Sequence, residues 1–133
     1  MISLPLARRL RDAGLRWDPQ PGDRFVVADR DMDDDVFTLA EMTVDVHDFP
    51  TGRLIGFNGT VEWALDSIRA RDCVWLPSEE QLRDRLGGTF RTLVRTAEGW
   101  RVEWCIGKSD YQTESSLAAD AYGLALLHLI TGD

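Results

Sequence analysis

The sequence holds a single lysine, Lys108, only two cysteines and two histidines, and no apolar run long enough to cross a bilayer. Its longest apolar stretch, residues 121–130, falls short of the ~20 residues that a membrane helix requires. Arg8 and Arg9 interrupt any apolar segment of the kind a signal peptide carries after Met1. Cys73 and Cys105 lie far apart and form no CxxC, so two buried thiols in a reducing compartment are expected rather than a disulfide. GxSxG, HExxH and GxGxxG are all absent, which removes the nucleophile elbow, the zinc-binding helix and the dinucleotide loop as signposts. These absences predict a soluble, cytoplasmic protein without a recognisable catalytic or cofactor motif.

What is present bounds the answer further. A chain of 133 residues with 44% apolar content suits a single domain spanning 1–133 with its own core. The formal net charge of −8 repels phosphate backbones and anionic lipid surfaces alike, so neither nucleic acid nor membrane is an expected partner. The one basic cluster, Arg8, Arg9 and Arg11, reads as the polar face of a helix. Five tryptophans, Trp17, Trp63, Trp75, Trp100 and Trp104, are many for this length. Their apolar bodies suit a core, and their enrichment at interfaces makes Trp17, Trp63, Trp75 and Trp104 candidate partner-binding anchors.

Periodicity predicts a helix over residues 4–14, with Ser3 as cap, Pro5 tolerated in the first turn and Gly14 as stop. The cluster Asp18-Pro19-Gln20-Pro21-Gly22 is a turn, followed by strands over 24–28 and 36–42. Residues 43–47 alternate as a half-buried strand, turn at Phe49-Pro50-Thr51-Gly52 and return over 53–57. Val61, Ala64, Leu65 and Ile68 fall at helical spacing, and residues 73–76 read as a short strand. Ser78-Glu79-Glu80-Gln81 is a capping box before a helix stopped by Gly87-Gly88. A hairpin over 90–95 and 100–106, a third strand near 111–113 and an apolar helix capped by Ser115 or Ser116 complete the chain. Leu10-Arg11-Asp12 recurs as Leu82-Arg83-Asp84, which fits an α–β–β–α pseudo-repeat.

The fold class predicted is α+β: a mainly antiparallel sheet with the N- and C-terminal helices packed on it.

Four constellations carry potential chemistry. Asp29, Asp31, Asp33, Asp34 and Asp35 make an oxygen-rich loop of the type that holds a hard cation. Its start imitates an EF-hand, but Asp34 stands where the sharp-turn glycine is needed and Ala40 where the bidentate glutamate is needed. Asp45 and His47 share a strand face, so the carboxylate is placed to orient the imidazole as a base or metal ligand. Asp29, Asp31, Asp33, Asp35 and His47 are therefore the candidate metal set. Gly107-Lys108-Ser109 copies the end of a phosphate loop, yet Val102 replaces its first glycine, and a hairpin turn is the better reading. His128 reads as a packed or helix-capping histidine.

The runs Leu4-Pro5-Leu6-Ala7, Gly22-Asp23-Arg24-Phe25-Val26-Val27, Val46-His47-Asp48, Gly56-Phe57-Asn58-Gly59-Thr60, Glu62-Trp63-Ala64-Leu65-Asp66-Ser67, Trp75-Leu76-Pro77 and Ala121-Tyr122-Gly123-Leu124-Ala125-Leu126-Leu127 carry a resemblance. Over nearly the whole chain the sequence resembles short actinobacterial proteins that bear the name pilus assembly protein CpaE. The resemblance implies an actinobacterial origin. It transfers no catalytic residue, because the ParA/MinD-like ATPase domain of larger proteins with that name has a P-loop and these residues have none.

The functional expectation is a non-enzymatic interaction module or adaptor that binds a protein partner or itself. No cofactor is expected. The alternative is a divalent-metal protein, or a metal-assisted hydrolase, built on the Asp29–Asp35 loop and His47.

Overall fold

The computed structural model describes residues 1–27, 36–39, 45–49, 52–56, 67–69 and 72–132. Where the sequence reads as one domain, the chain divides into two compact units: residues 1–15 with 77–133, and residues 16–76. The architecture is α+β, with three three-stranded antiparallel sheets among the described residues.

The unit formed by residues 16–76 holds two of the sheets. In the first, β1 (Arg24–Val27) lies between β2 (Phe37–Thr38) and β6 (Cys73–Leu76). Phe25 stands opposite Trp75, Val26 opposite Val74 and Val27 opposite Cys73. Both strands are buried on both faces, which is why they are apolar without alternation. The turn that leads into β1 is fastened by Asp23, only 5% exposed. Its carboxylate accepts the Trp17 indole N–H at 2.9 Å and the Gln20 backbone N–H at 3.0 Å, so a charge that would be costly to bury is hydrogen-bonded. Trp17 stacks toward Phe25, and Phe25 on Phe37, with centroids 5.4 and 5.6 Å apart.

The second sheet is β3 (Asp45–Phe49), β4 (Gly52–Gly56) and β5 (Ser67–Arg69). The hairpin predicted across Phe49 and Gly52 is present, with His47 opposite Leu54 and Asp45 opposite Gly56. One expectation fails here. Ile68, assigned to a helix by its spacing from Val61, belongs to strand β5 and pairs with Ile55. The cross-strand partner decides its conformation, not the periodicity of its neighbours. Val61, Ala64 and Leu65 lie outside the described residues.

The other unit contains the three α-helices described. Helix α1 (Leu4–Asp12) buries Leu6, Ala7 and Leu10 on one face. Its C-terminus is a Schellman motif: Gly14, at φ 107°, donates to the Arg11 carbonyl, and Leu15 donates to the Leu10 carbonyl. Ser3 is the N-cap residue but makes no side-chain cap, contrary to expectation. Its backbone N–H instead donates to Asp120 Oδ1 at 2.7 Å.

Helix α2 (Glu79–Leu86) has the predicted capping box in full. Gln81 N–H donates to Ser78 Oγ at 3.1 Å, and Ser78 N–H donates to Gln81 Oε1 at 2.9 Å. A short 3-10 turn, Gly87–Thr89, leads into the meander β7 (Phe90–Arg95), β8 (Trp100–Ile106) and β9 (Ser109–Ser115).

Helix α3 (Ala118–Thr131) packs on β8 and β9 and receives α1 and α2 on its other sides. Leu117 is its N-cap residue, not Ser115 or Ser116, and no side chain caps it. The approach of α1 depends on Gly123, where a Cβ would stand 2.7 Å from Leu6 Cδ2 and 3.2 Å from Ile2 Cδ1. The tripeptides Leu10-Arg11-Asp12 and Leu82-Arg83-Asp84 thus mark two helices gathered on α3 within one unit. None of the described helices is long and apolar enough to cross a membrane.

Candidate functional site

A groove of about 620 Å³ lies between α1, α3 and β9 within one unit. Helical spacing builds two of its walls. Leu124, Leu127, His128 and Thr131 project from α3 at i, i+3, i+4 and i+7, and Arg9, Asp12 and Ala13 from α1 at i, i+3 and i+4. Strand β9 closes the third side with Thr113 and Glu114. The Thr113 hydroxyl donates to the Ala121 carbonyl at 2.8 Å, which holds the strand against α3. The floor is therefore leucine and the rim carries charges of both signs.

One end of the groove is set by an aromatic cluster. Trp104 stacks on Tyr111 with centroids 4.5 Å apart and planes 16° from parallel. His128 meets Trp104 edge-on and Tyr111 at a tilt, each at 5.1 Å. His128 is thus a packed histidine, as its helical position suggested, yet it also lines the groove. The Trp104 indole N–H is buried with no acceptor among the described residues.

A smaller cavity of about 350 Å³ is lined by Trp104 and Tyr111 together with Arg91, Glu103, Asp110 and Gln112. Here the Thr92 hydroxyl donates to Glu103 Oε1 at 2.6 Å, and Arg101 Nε lies 3.2 Å from Oε2. The Thr92 hydrogen bond, seconded by the Arg101 charge, holds the Glu103 carboxyl below its ordinary range. Elsewhere on α2, Arg83 donates to the Tyr122 hydroxyl at 3.3 Å, and that bond raises the guanidinium pKa further.

The residues singled out in the sequence do not converge on either cavity. Asp29, Asp31, Asp33 and Asp35 lie outside the described residues, as does Trp63. His47 is in the middle of β3, two residues from Asp45. Among the described residues no three His, Cys, Asp or Glu side chains are grouped to hold a metal ion.

Of the tryptophans offered as partner-binding anchors, Trp17 and Trp75 are 7% exposed and Trp104 1%. Each is enclosed because its flat ring fills the space beside a sheet, where apolar area is worth most. Trp100 is half-buried and stacks under the Arg95 guanidinium at 4.8 Å.

Gly107-Lys108 is the two-residue turn of the β8–β9 hairpin, with Ile106 opposite Ser109 and Gly107 at φ 58°, as expected of a turn and not of a phosphate loop. Neither cysteine forms a disulfide; Cys73 is buried and Cys105 half-buried.

Arg9, Asp12, Leu124, Leu127 and Glu114 are the groove residues that sequence reasoning passed over. The signal was available in α3, where 124, 127, 128 and 131 share one stripe.

Comparison of the chain with protein-family models, with curated proteins and with solved structures returns no match.

Proposed function

We propose that this protein is a non-enzymatic interaction module whose partner seats in the groove between α1, α3 and β9. One observation carries the reading: half-buried Leu124 and Leu127 form an apolar floor inside a rim of Arg9, Asp12 and Glu114. An apolar centre within a charged, hydrated rim is the anatomy of a protein-binding surface. Neither a bound metal nor a nucleophile is needed for that task. The resemblance to the short actinobacterial proteins fits the reading, since it brings no catalytic residue with it.

The test places a photo-crosslinking benzoylphenylalanine at Leu127 in the full chain, expressed in its source cell. The expected result is one discrete heavier adduct that disappears when Leu124→Glu or Arg9→Glu is added. Adducts no different from those of the same probe at Glu98, in the β7–β8 turn, overturn the proposal.

A further inference from the structure

We infer that the outer edge of β9 takes up an extended segment of a partner protein, alternating basic and apolar residues, as a fourth strand of the β7–β8–β9 sheet. This rests on the interaction-module reading and names the partner's chemistry. The sheet order leaves β7 and β9 as its two edges. They are not equivalent. Strand β7 is blunted: its register shifts between Phe90 and Thr92, and Arg91 Nη1 donates to the Gly88 and Phe90 carbonyls at 2.7 and 3.0 Å. A bulge and an arginine on the carbonyls are ways of closing an edge. Strand β9 has neither. Its seven residues stay in register with β8 from Ser109 to Ser115, without proline or lysine.

The phase of the hydrogen bonds follows from the turn. A two-residue connection makes Ile106 and Ser109 the first hydrogen-bonded pair, so Tyr111, Thr113 and Ser115 bond toward β8. The backbone groups of Asp110, Gln112 and Glu114 therefore point outward. All three residues are exposed. No backbone hydrogen bond joins them to any other element among the described residues.

The side chains specify what fits. Asp110 and Glu114 offer acid on one face of the edge, relieved among the described residues by Arg101 Nη1 at 3.5 Å from Glu114. Residues directly opposite on an added strand come within roughly 5 Å, Cβ to Cβ, so lysine or arginine is matched there. The alternate residues of that strand turn toward the groove, where Leu124 and Leu127 call for apolar side chains. A second copy of this chain is mismatched. Full antiparallel overlap of β9 on itself, centred on Gln112, sets Asp110 against Glu114 twice, and like charges directly opposite destabilise a pair.

The probe is a blocked seven-residue peptide alternating Lys and Val, titrated into the full chain by fluorescence anisotropy. Controls alternate Glu and Val, or keep Lys and Val but carry N-methyl groups on alternate amides in each of the two phases. The expected result is binding about tenfold or more tighter than the Glu/Val peptide, lost in one N-methyl phase and retained in the other. New exchange protection is expected at the amides of Asp110, Gln112 and Glu114. Gln112→Pro removes only an outward N–H, a substitution that edges tolerate, and is expected to abolish binding without lowering Tm. Asp110→Lys with Glu114→Lys is expected to invert the preference toward Glu/Val. Equal binding of both N-methyl peptides means charge attraction alone and overturns the inference, as does a concentration-dependent dimer lost in Gln112→Pro. If the Leu127 probe still captures its adduct in Gln112→Pro, β9 pairing fails while the module reading survives. If the peptide pairs with β9 but Leu127 gives no adduct, the groove reading fails instead.

Discussion

The sheets β2–β1–β6 and β7–β8–β9 are both antiparallel and three-stranded, yet they solve opposite problems. In the first, β1 and β6 are enclosed on both faces, and the outer neighbour β2 is only two residues long. In the second, one face meets α3 while the other carries Arg101, Glu103 and Glu114 in a small ionic network. Its last strand is a full-length, polar, uninterrupted edge. The enclosed sheet keeps its charge to Arg24 at one end of β1 and to the hydrogen-bonded Asp23 beside it. A half-covered sheet tolerates charge and keeps its bonding edge available.

Placing a lysine in each sheet gives the largest contrast. Val74 is 0% exposed in the middle of β6. Val74→Lys is expected to cost more than about 4 kcal/mol, because an unpaired ammonium is buried. Gln112→Lys in β9 is expected to stay within about 0.5 kcal/mol, as exposed substitutions do. Urea unfolding midpoints of the two variants measure the difference, and equal losses would erase the distinction between the sheets.

Asp23→Ala tests how the enclosed sheet holds its one buried charge. It removes the carboxylate that accepts the Trp17 indole N–H and the Gln20 amide, and the expected cost is about 3 kcal/mol by thermal unfolding.

Trp104→Phe is the counterpart in the half-covered sheet. Its indole N–H has no acceptor among the described residues. Losing that donor offsets much of the lost ring area, so the change is expected to stay within about 1 kcal/mol.

The smallest effect concerns Glu103. A carboxyl whose folded pKa is depressed contributes stability above its ordinary pKa and loses it as pH falls through the folded value. Thr92→Val removes the main cause of the depression, so the Glu103 carboxyl is expected to titrate at higher pH. The stability that this carboxyl contributes then shrinks, and its acid-side loss is complete at a higher pH. Carbon-13 titration of the Glu103 carboxyl reads this directly, and an unchanged curve would show that Arg101 alone holds the shift.

The half-covered sheet was legible in the sequence and much of the other unit was not. The capping box at Ser78, the hairpin around Gly99 and the turn at Gly107 are local devices whose residues announce their geometry. The β1 and β6 strands were also found, because short apolar runs between turn residues admit few readings. Ile68 was misread because helical spacing around it was real while its strand partner, Ile55, is distant in sequence. Ser3, and Ser115 or Ser116, were expected as side-chain caps; Ser3 instead bonds Asp120 through its backbone N–H, and α3 starts after Leu117, with no side-chain cap. The groove itself was invisible too. Its three walls come from residues near 10, 113 and 127, and nothing in any one stretch says that they meet.

The bond from Ser3 to Asp120 joins positions 117 residues apart, with the whole of the 16–76 unit between them. On the ribosome, α1 emerges well before α3, the helix on which it packs. At a synthesis rate of about 5–20 residues per second, the delay is on the order of ten seconds. In the later part of that interval the strands from β1 to β6 have all been synthesised, while α1 still awaits α3. Translation order therefore delivers every strand of the insert before the helix on which α1 packs.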